Sequence, residues 1–181
     1  NYFPGNIFSV VSGWQIGAGS GYGHVALFCG SVVLIGVIAL FAAKGIGKNR
    51  KLIFAAMLVV MLMTVYWHPL YMIFSLLRDV GSYWTRHAFT IIFTLIFMAA
   101  YFFTVQVPDR KKYITGSALA FSSILLASEY VHQTNDLKHT YYTVLFILVT
   151  AAVLCFIPKK RIYSVAALCI LIAELGFSAK I

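Results

Sequence analysis

Charge is what this chain has least of. Only 10% of its 181 residues are Asp, Glu, Lys or Arg, and just five are acidic. A soluble domain carries about 25% charged residues. Such a thin polar complement excludes an ordinary water-facing surface. Cysteine is scarce too: Cys29, Cys155 and Cys169 all fall inside apolar stretches. That placement excludes a disulfide framework, and their spacing does not suit a metal site. They read as small buried hydrophobes. The order Ser-His-Asp, the HExxH pattern and the CxxC pattern are all missing. The glycine-rich run GAGSGYG has no strand before it, its third glycine is misplaced, and no Gly-Lys-Ser/Thr follows, so it is neither a dinucleotide fingerprint nor a P-loop. No metal and no cofactor is expected.

The first 23 residues lack a basic segment followed by an apolar one, which excludes a secretory signal. The chain also begins with Asn1 rather than Met, so it is expected to be a piece of a longer protein or a processed product.

What is present is hydrocarbon: 61% of residues are hydrophobic, in six blocks at 24–43, 52–68, 87–107, 113–131, 139–157 and 162–178. Each is long enough to cross a hydrocarbon layer of about 30 Å. The fold class expected is an all-α, polytopic transmembrane helical bundle of about six spans. Residues 24–178 form the transmembrane domain, preceded by a Gly/Ser/aromatic loop at 1–23 and interrupted by an interfacial loop at 69–86. Phe3, Ile7, Phe8 and Trp14 let part of the first loop lie in the interface. Within the second, Pro69 ends a span, and LYMIFSLL is too short to cross and reads as an interfacial or re-entrant helix.

The connections set the orientation. Lys44, Lys48, Arg50 and Lys51 follow the first block, Arg110, Lys111 and Lys112 the third, and Lys159, Lys160 and Arg161 the fifth, so ten of the fourteen Lys and Arg lie in every second connection. Cytoplasmic loops collect such residues. Both termini, the 69–86 loop and the 132–138 loop are then outside. The net charge of +9 is therefore no nucleic-acid signature. It is three clusters at helix ends, suited to anionic headgroups. Tyr66, Trp67, Tyr83, Trp84, Tyr130, Tyr141 and Tyr142 form an outer aromatic belt; Tyr113 and Tyr163 mark the inner one.

His24, His68, His87, His132 and His139 map to the outer side, as do Asp79, Glu129, Asp136 and Glu174; only Asp109 maps inside. Groups able to exchange protons or bind ligands thus gather on one face. Glu129 and Glu174 admit two readings. They are proton-transfer or ligand-binding carboxylates, or interfacial acids paired with Lys138, Arg86 or a histidine. In the fourth block, Gly116, Ala120, Ser123 and Ala127 recur at helical spacing, a stripe expected to serve close helix packing.

The densest polar cluster is RDVGSYWTRHAF, residues 78–89. Arg86 and His87 sit at the mouth of the third span, where they could grip a phosphate, with Arg78 nearby. Arginine suits phosphate because its planar fork donates parallel hydrogen bonds. Tyr83 and Trp84 could stack on a sugar face. The alternative is that the arginines meet ordinary phospholipid phosphates.

YWTRHAFTIIFTLIFMAAYFF resembles the late part of the bacterial YfhO family, whose corresponding stretch is an aromatic-Pro-Tyr-Arg-x-Ser-Phe run into a span. Arg86 and Phe89 match, Thr85 replaces the Tyr, and the Pro is absent. GYGHVALFCGSVVLIGVIALF and LCILIAELGFSA also match, the latter through Glu174 and Leu175. The family is similar to GT-C glycosyltransferases. The resemblance implies a multi-pass protein of the bacterial cell membrane. It implies an enzyme that moves a sugar from a polyprenyl-phosphate donor to an envelope glycan acceptor on the outer face. It also implies that the catalytic acid precedes this chain, so the catalytic residues cannot be named here. A transporter, or a scaffold subunit without catalysis, is the alternative. The absence of midplane charge and of Pro-broken spans counts against a transporter.

Overall fold

The computed structural model describes residues 14, 28–74, 88–132, 137–156 and 160–178. Among them every regular element is helical: α1 Ser31–Ala42, α2 Lys48–Tyr66, α3 His68–Phe74, α4 Ala88–Thr104, α5 Arg110–His132, α6 Leu137–Phe156 and α7 Lys160–Ser178. The uninterrupted apolar runs favour helix because a helix satisfies its backbone N–H and C=O groups within one segment, which hydrocarbon requires. α2 stops at Tyr66, with Trp67 extended (φ −115°, ψ 107°). Pro69 then lies in the first turn of the seven-residue α3, where its missing N–H does no harm.

α1 is the hub. It packs against α4, α5, α6 and α7, while α2 packs on α4 and α3. Eight of its twelve residues are buried. A helix that is apolar all round has no face to turn to a polar solvent and is stable when neighbours surround it. The closest crossing is at Gly36. A Cβ built there would lie 2.8 Å from the Ala99 Cβ and 2.9 Å from the Phe103 ring of α4. Small residues let helices approach and gain dispersion contacts where no hydrophobic force drives them together. On both sides of this crossing Leu34, Ile35, Leu40, Ile91, Leu95, Met98 and Phe102 are fully enclosed. Trp14 packs against the same core, half-buried, rather than standing apart from it.

The bundle exterior is apolar. Leu52, Ile53, Val59, Val60 and Met63 on α2, Phe89, Phe93 and Phe97 on α4, and Val165, Leu168 and Ile172 on α7 all face outward. A contiguous apolar exterior of this extent is not sustained in water.

The contacts at the helix ends give the bundle two unlike ends. At one end the start of α1 meets the end of α7 through Ser31 and Glu174, and the start of α6 meets the same end through Tyr142 and Phe177, ring centroids 5.2 Å apart. At the other end Lys51 of α2 donates to the carbonyl of Phe41 at the foot of α1 (2.6 Å). There too the Lys44 N–H donates to the Tyr113 hydroxyl (3.2 Å), and Arg110 donates to the Val105 carbonyl just past α4. Lys51 and Arg110 satisfy carbonyls at the ends of α1 and α4 and complement the negative pole of each helix dipole.

Candidate functional site

The acid-bearing end is organised around the entry to α1. Gly30 precedes the helix with φ +92°, a left-handed conformation that costs glycine little. A side chain there would also run into Leu171 of α7, whose Cδ1 lies 2.3 Å from the built Cβ. With no side chain at the cap position, the first N–H groups of α1 need an acceptor from elsewhere. Glu174 supplies it. The Ser31 N–H donates to Glu174 Oε2 at 2.8 Å, the Ser31 hydroxyl donates to Oε1, and the carboxyl is 0% exposed. A carboxylate at a helix N-terminus is favoured by the dipole as well as by the two hydrogen bonds. Cys29 is buried beside it as a free thiol.

The partners of Glu174 are the backbone and hydroxyl of Ser31, not Lys138. The sequence offered no sign of that pairing, because the two residues lie 143 positions apart.

Glu129 sits one turn from the end of α5 and is 3% exposed. The inward face of α5 runs Ile114, Ser117, Ala118, Phe121, Ser122, Leu125, Ser128 and Glu129, a 3.6-residue stripe. The hydroxyls of Ser117, Ser122 and Ser128 on this face, and of Thr150 on α6, are buried without a hydrogen-bond partner among the described residues. The expected packing stripe lies elsewhere: Gly116, Ala120, Ser123 and Ala127 are all exposed, and nothing lies within 4 Å of a Cβ built at Gly116. Both faces of α5 carry small residues, and hydrophobicity does not separate them. The contacts with α1 and α6 do.

Arg78, Asp79, Tyr83, Trp84, Arg86 and His87 lie outside the described residues. The described helices on either side of them are α3, ending at Phe74, and α4, starting at Ala88. Glu129 and Glu174 share that end but stand on α5 and α7, separate helices that both pack on α6 and α1. Among the described residues no group of three or more His, Cys, Asp and Glu converges.

A family model described as "Bacterial membrane protein YfhO" matches residues 3–180. The chain belongs to the YfhO family. No curated protein and no solved structure matches it. An apolar exterior is in keeping with a bacterial membrane protein family. By length and apolarity, one helix among the described residues, Lys138–Phe156, suffices to cross a bilayer; Ser31–Ala42, Phe89–Thr104 and Leu168–Phe177 are shorter apolar helices.

The cation-bearing end holds a feature that the sequence did not announce. Arg50 of α2 donates to the Tyr101 hydroxyl of α4 at 2.5 Å. Together with Ile53 and Phe54 they line an open groove of about 350 Å³. Phe54 packs on Tyr101 at 5.1 Å and on Phe97 at 6.2 Å between ring centroids. Tyr101 lies in the middle of the apolar run AAYFF, and only the antiparallel pairing of α2 with α4 brings it to Arg50.

Proposed function

We propose that this YfhO chain is the late, multi-pass membrane portion of a glycosyltransferase. It would use a polyprenyl-phosphate-sugar donor on the outer face of the bacterial membrane to modify an envelope glycan. The reading takes α1, α2, α4, α5, α6 and α7 to mark six spans, with the Lys/Arg-rich end cytoplasmic and the end bearing Glu129, Glu174 and the 75–87 segment outside. The observation that carries it is the family match over residues 3–180. The division of the bundle into a cation end and an acid end supports it.

In this reading Arg86 and His87, aided by Arg78, hold the lipid phosphate, and Tyr83 and Trp84 flank the sugar. The chemistry asks for such groups. Breaking the bond between sugar and phosphate leaves negative charge on the phosphate, and cations fixed at membrane level stabilise that charge in the transition state. Glu174 keeps a structural part, closing α1 onto α7.

The test is sugar transfer by the full-length protein in membranes. Arg86→Ala is expected to abolish transfer, with membrane insertion and helix content unchanged. Normal transfer by that variant would remove Arg86 from the mechanism.

A further inference from the structure

The groove between α2 and α4 has the polarity of a lipid. Its mouth, at the cation end, carries the Arg50 guanidinium and the Tyr101 hydroxyl. One turn further along α2 the groove is lined by Ile53 and Phe54, and the exposed Phe97 of α4 packs on Phe54. Lys48 and Lys51 lie within one turn of Arg50 on α2. Lys51 is committed to the Phe41 carbonyl. Arg50 spends one donor on Tyr101, and a guanidinium has five. Tyr101 holds the fork in place, so donors remain for an anion lying beside the apolar lining. At about 350 Å³ the groove is within the range of small-molecule sites, with room for a headgroup and the first part of one acyl chain.

We infer that this groove binds an anionic phospholipid of the inner leaflet, phosphate on Arg50 and acyl chain along Ile53, Phe54 and Phe97. Charge complementarity favours that occupant. A basic pocket between membrane helices on the cytoplasmic side is where anionic headgroups collect, whereas a neutral apolar partner would leave Arg50 buried and unmatched. The site is distinct from the proposed donor site at the opposite end of the bundle. It rests on the orientation given under Proposed function and not on sugar transfer.

The test uses the full-length protein reconstituted in nanodiscs of equal phosphatidylglycerol and phosphatidylcholine, then extracted in mild detergent. Retained lipid is counted by mass spectrometry. Wild type is expected to keep phosphatidylglycerol in preference to phosphatidylcholine. Arg50→Ala is expected to lower retained phosphatidylglycerol about tenfold, the loss of one charge-assisted hydrogen-bond set, with phosphatidylcholine unchanged. Tyr101→Phe keeps the ring against Phe54 and frees the guanidinium, so a smaller loss of roughly two- to threefold is expected. Equal retention of both lipids by wild type would overturn the proposal, as would undiminished phosphatidylglycerol in Arg50→Ala. Displacement of the lipid by inorganic phosphate alone would point to a soluble phosphate compound and overturn it too. Should Arg50→Ala fail to fold, Tyr101→Phe and the wild-type preference still decide. Sugar transfer is read separately, so loss of one reading leaves the other standing.

Discussion

Ser31 and Glu174 are 143 residues apart, yet one carboxyl group accepts both the N–H and the hydroxyl of that serine. The first helix of the bundle is therefore capped by the last. A local cap would stabilise α1 alone; this one ties its entry to α7 and encloses Cys29 and Gly30 between them.

Removing either partner should weaken the whole bundle. Glu174→Ala strands a buried N–H, and Ser31→Ala strands half the carboxylate. Each is expected to cost about 1.5–3 kcal/mol in detergent unfolding. The double variant should cost clearly less than the sum, because both act through one interaction. Additive losses would mean that the two residues act independently.

The α1–α4 crossing gives a steric test. Gly36→Ala puts a methyl group 2.8 Å from the Ala99 Cβ, so the helices must part. A loss of about 1–3 kcal/mol is expected, with a larger one for Gly36→Val. Gly116→Ala meets nothing within 4 Å and should be neutral, or more stable by up to about 1 kcal/mol from helix propensity. Thermal unfolding of the three variants separates crowding from propensity. Destabilisation by Gly116→Ala would place a neighbour on that face of α5.

Arg110 joins two helices at the cation end. It donates to the Val105 carbonyl and stands 5.9 Å over the Phe102 ring. Arg110→Lys keeps the charge but loses the planar fork that can serve both. A drop of about 1 kcal/mol in stability is expected, and Arg110→Ala should lose more. Equal stability of Lys and Arg variants would reduce the role of this residue to its charge.

Orientation can be read by labelling. With Cys29, Cys155 and Cys169 replaced by serine, a single cysteine beside Ser82 should react with a membrane-impermeant maleimide in intact cells. One beside Lys48 or Lys111 should react only after permeabilisation. The reverse pattern would put the proposed phosphate grip on the cytoplasmic side and remove the physical basis of outer-face sugar transfer.

Much of the architecture was legible before any coordinates. Apolar blocks with no polar face call for helices in lipid, and every second connection is rich in Lys and Arg. Short connections such as 133–136 force neighbouring helices antiparallel, which puts the Lys- and Arg-rich connections at one end. The small-residue stripe of α5 was misread as a packing face. In a membrane helix, lipid and core are equally apolar, so composition does not separate the face toward lipid from the face toward neighbours. Tyr101 does not stand out for the same reason, as one aromatic among many in an apolar run.

The chain alone thus determined its apolar character, its helices and the unequal distribution of charge between their ends. All three follow from local composition and from the cost of an unsatisfied backbone in hydrocarbon. Only the tertiary structure decided that Glu174 caps α1, that Gly36 is where α1 meets α4, and that Arg50 and Tyr101 share a groove. Each of these joins residues far apart along the chain, and such pairings are chosen by shape and hydrogen bonding once the helices pack, which no local pattern encodes.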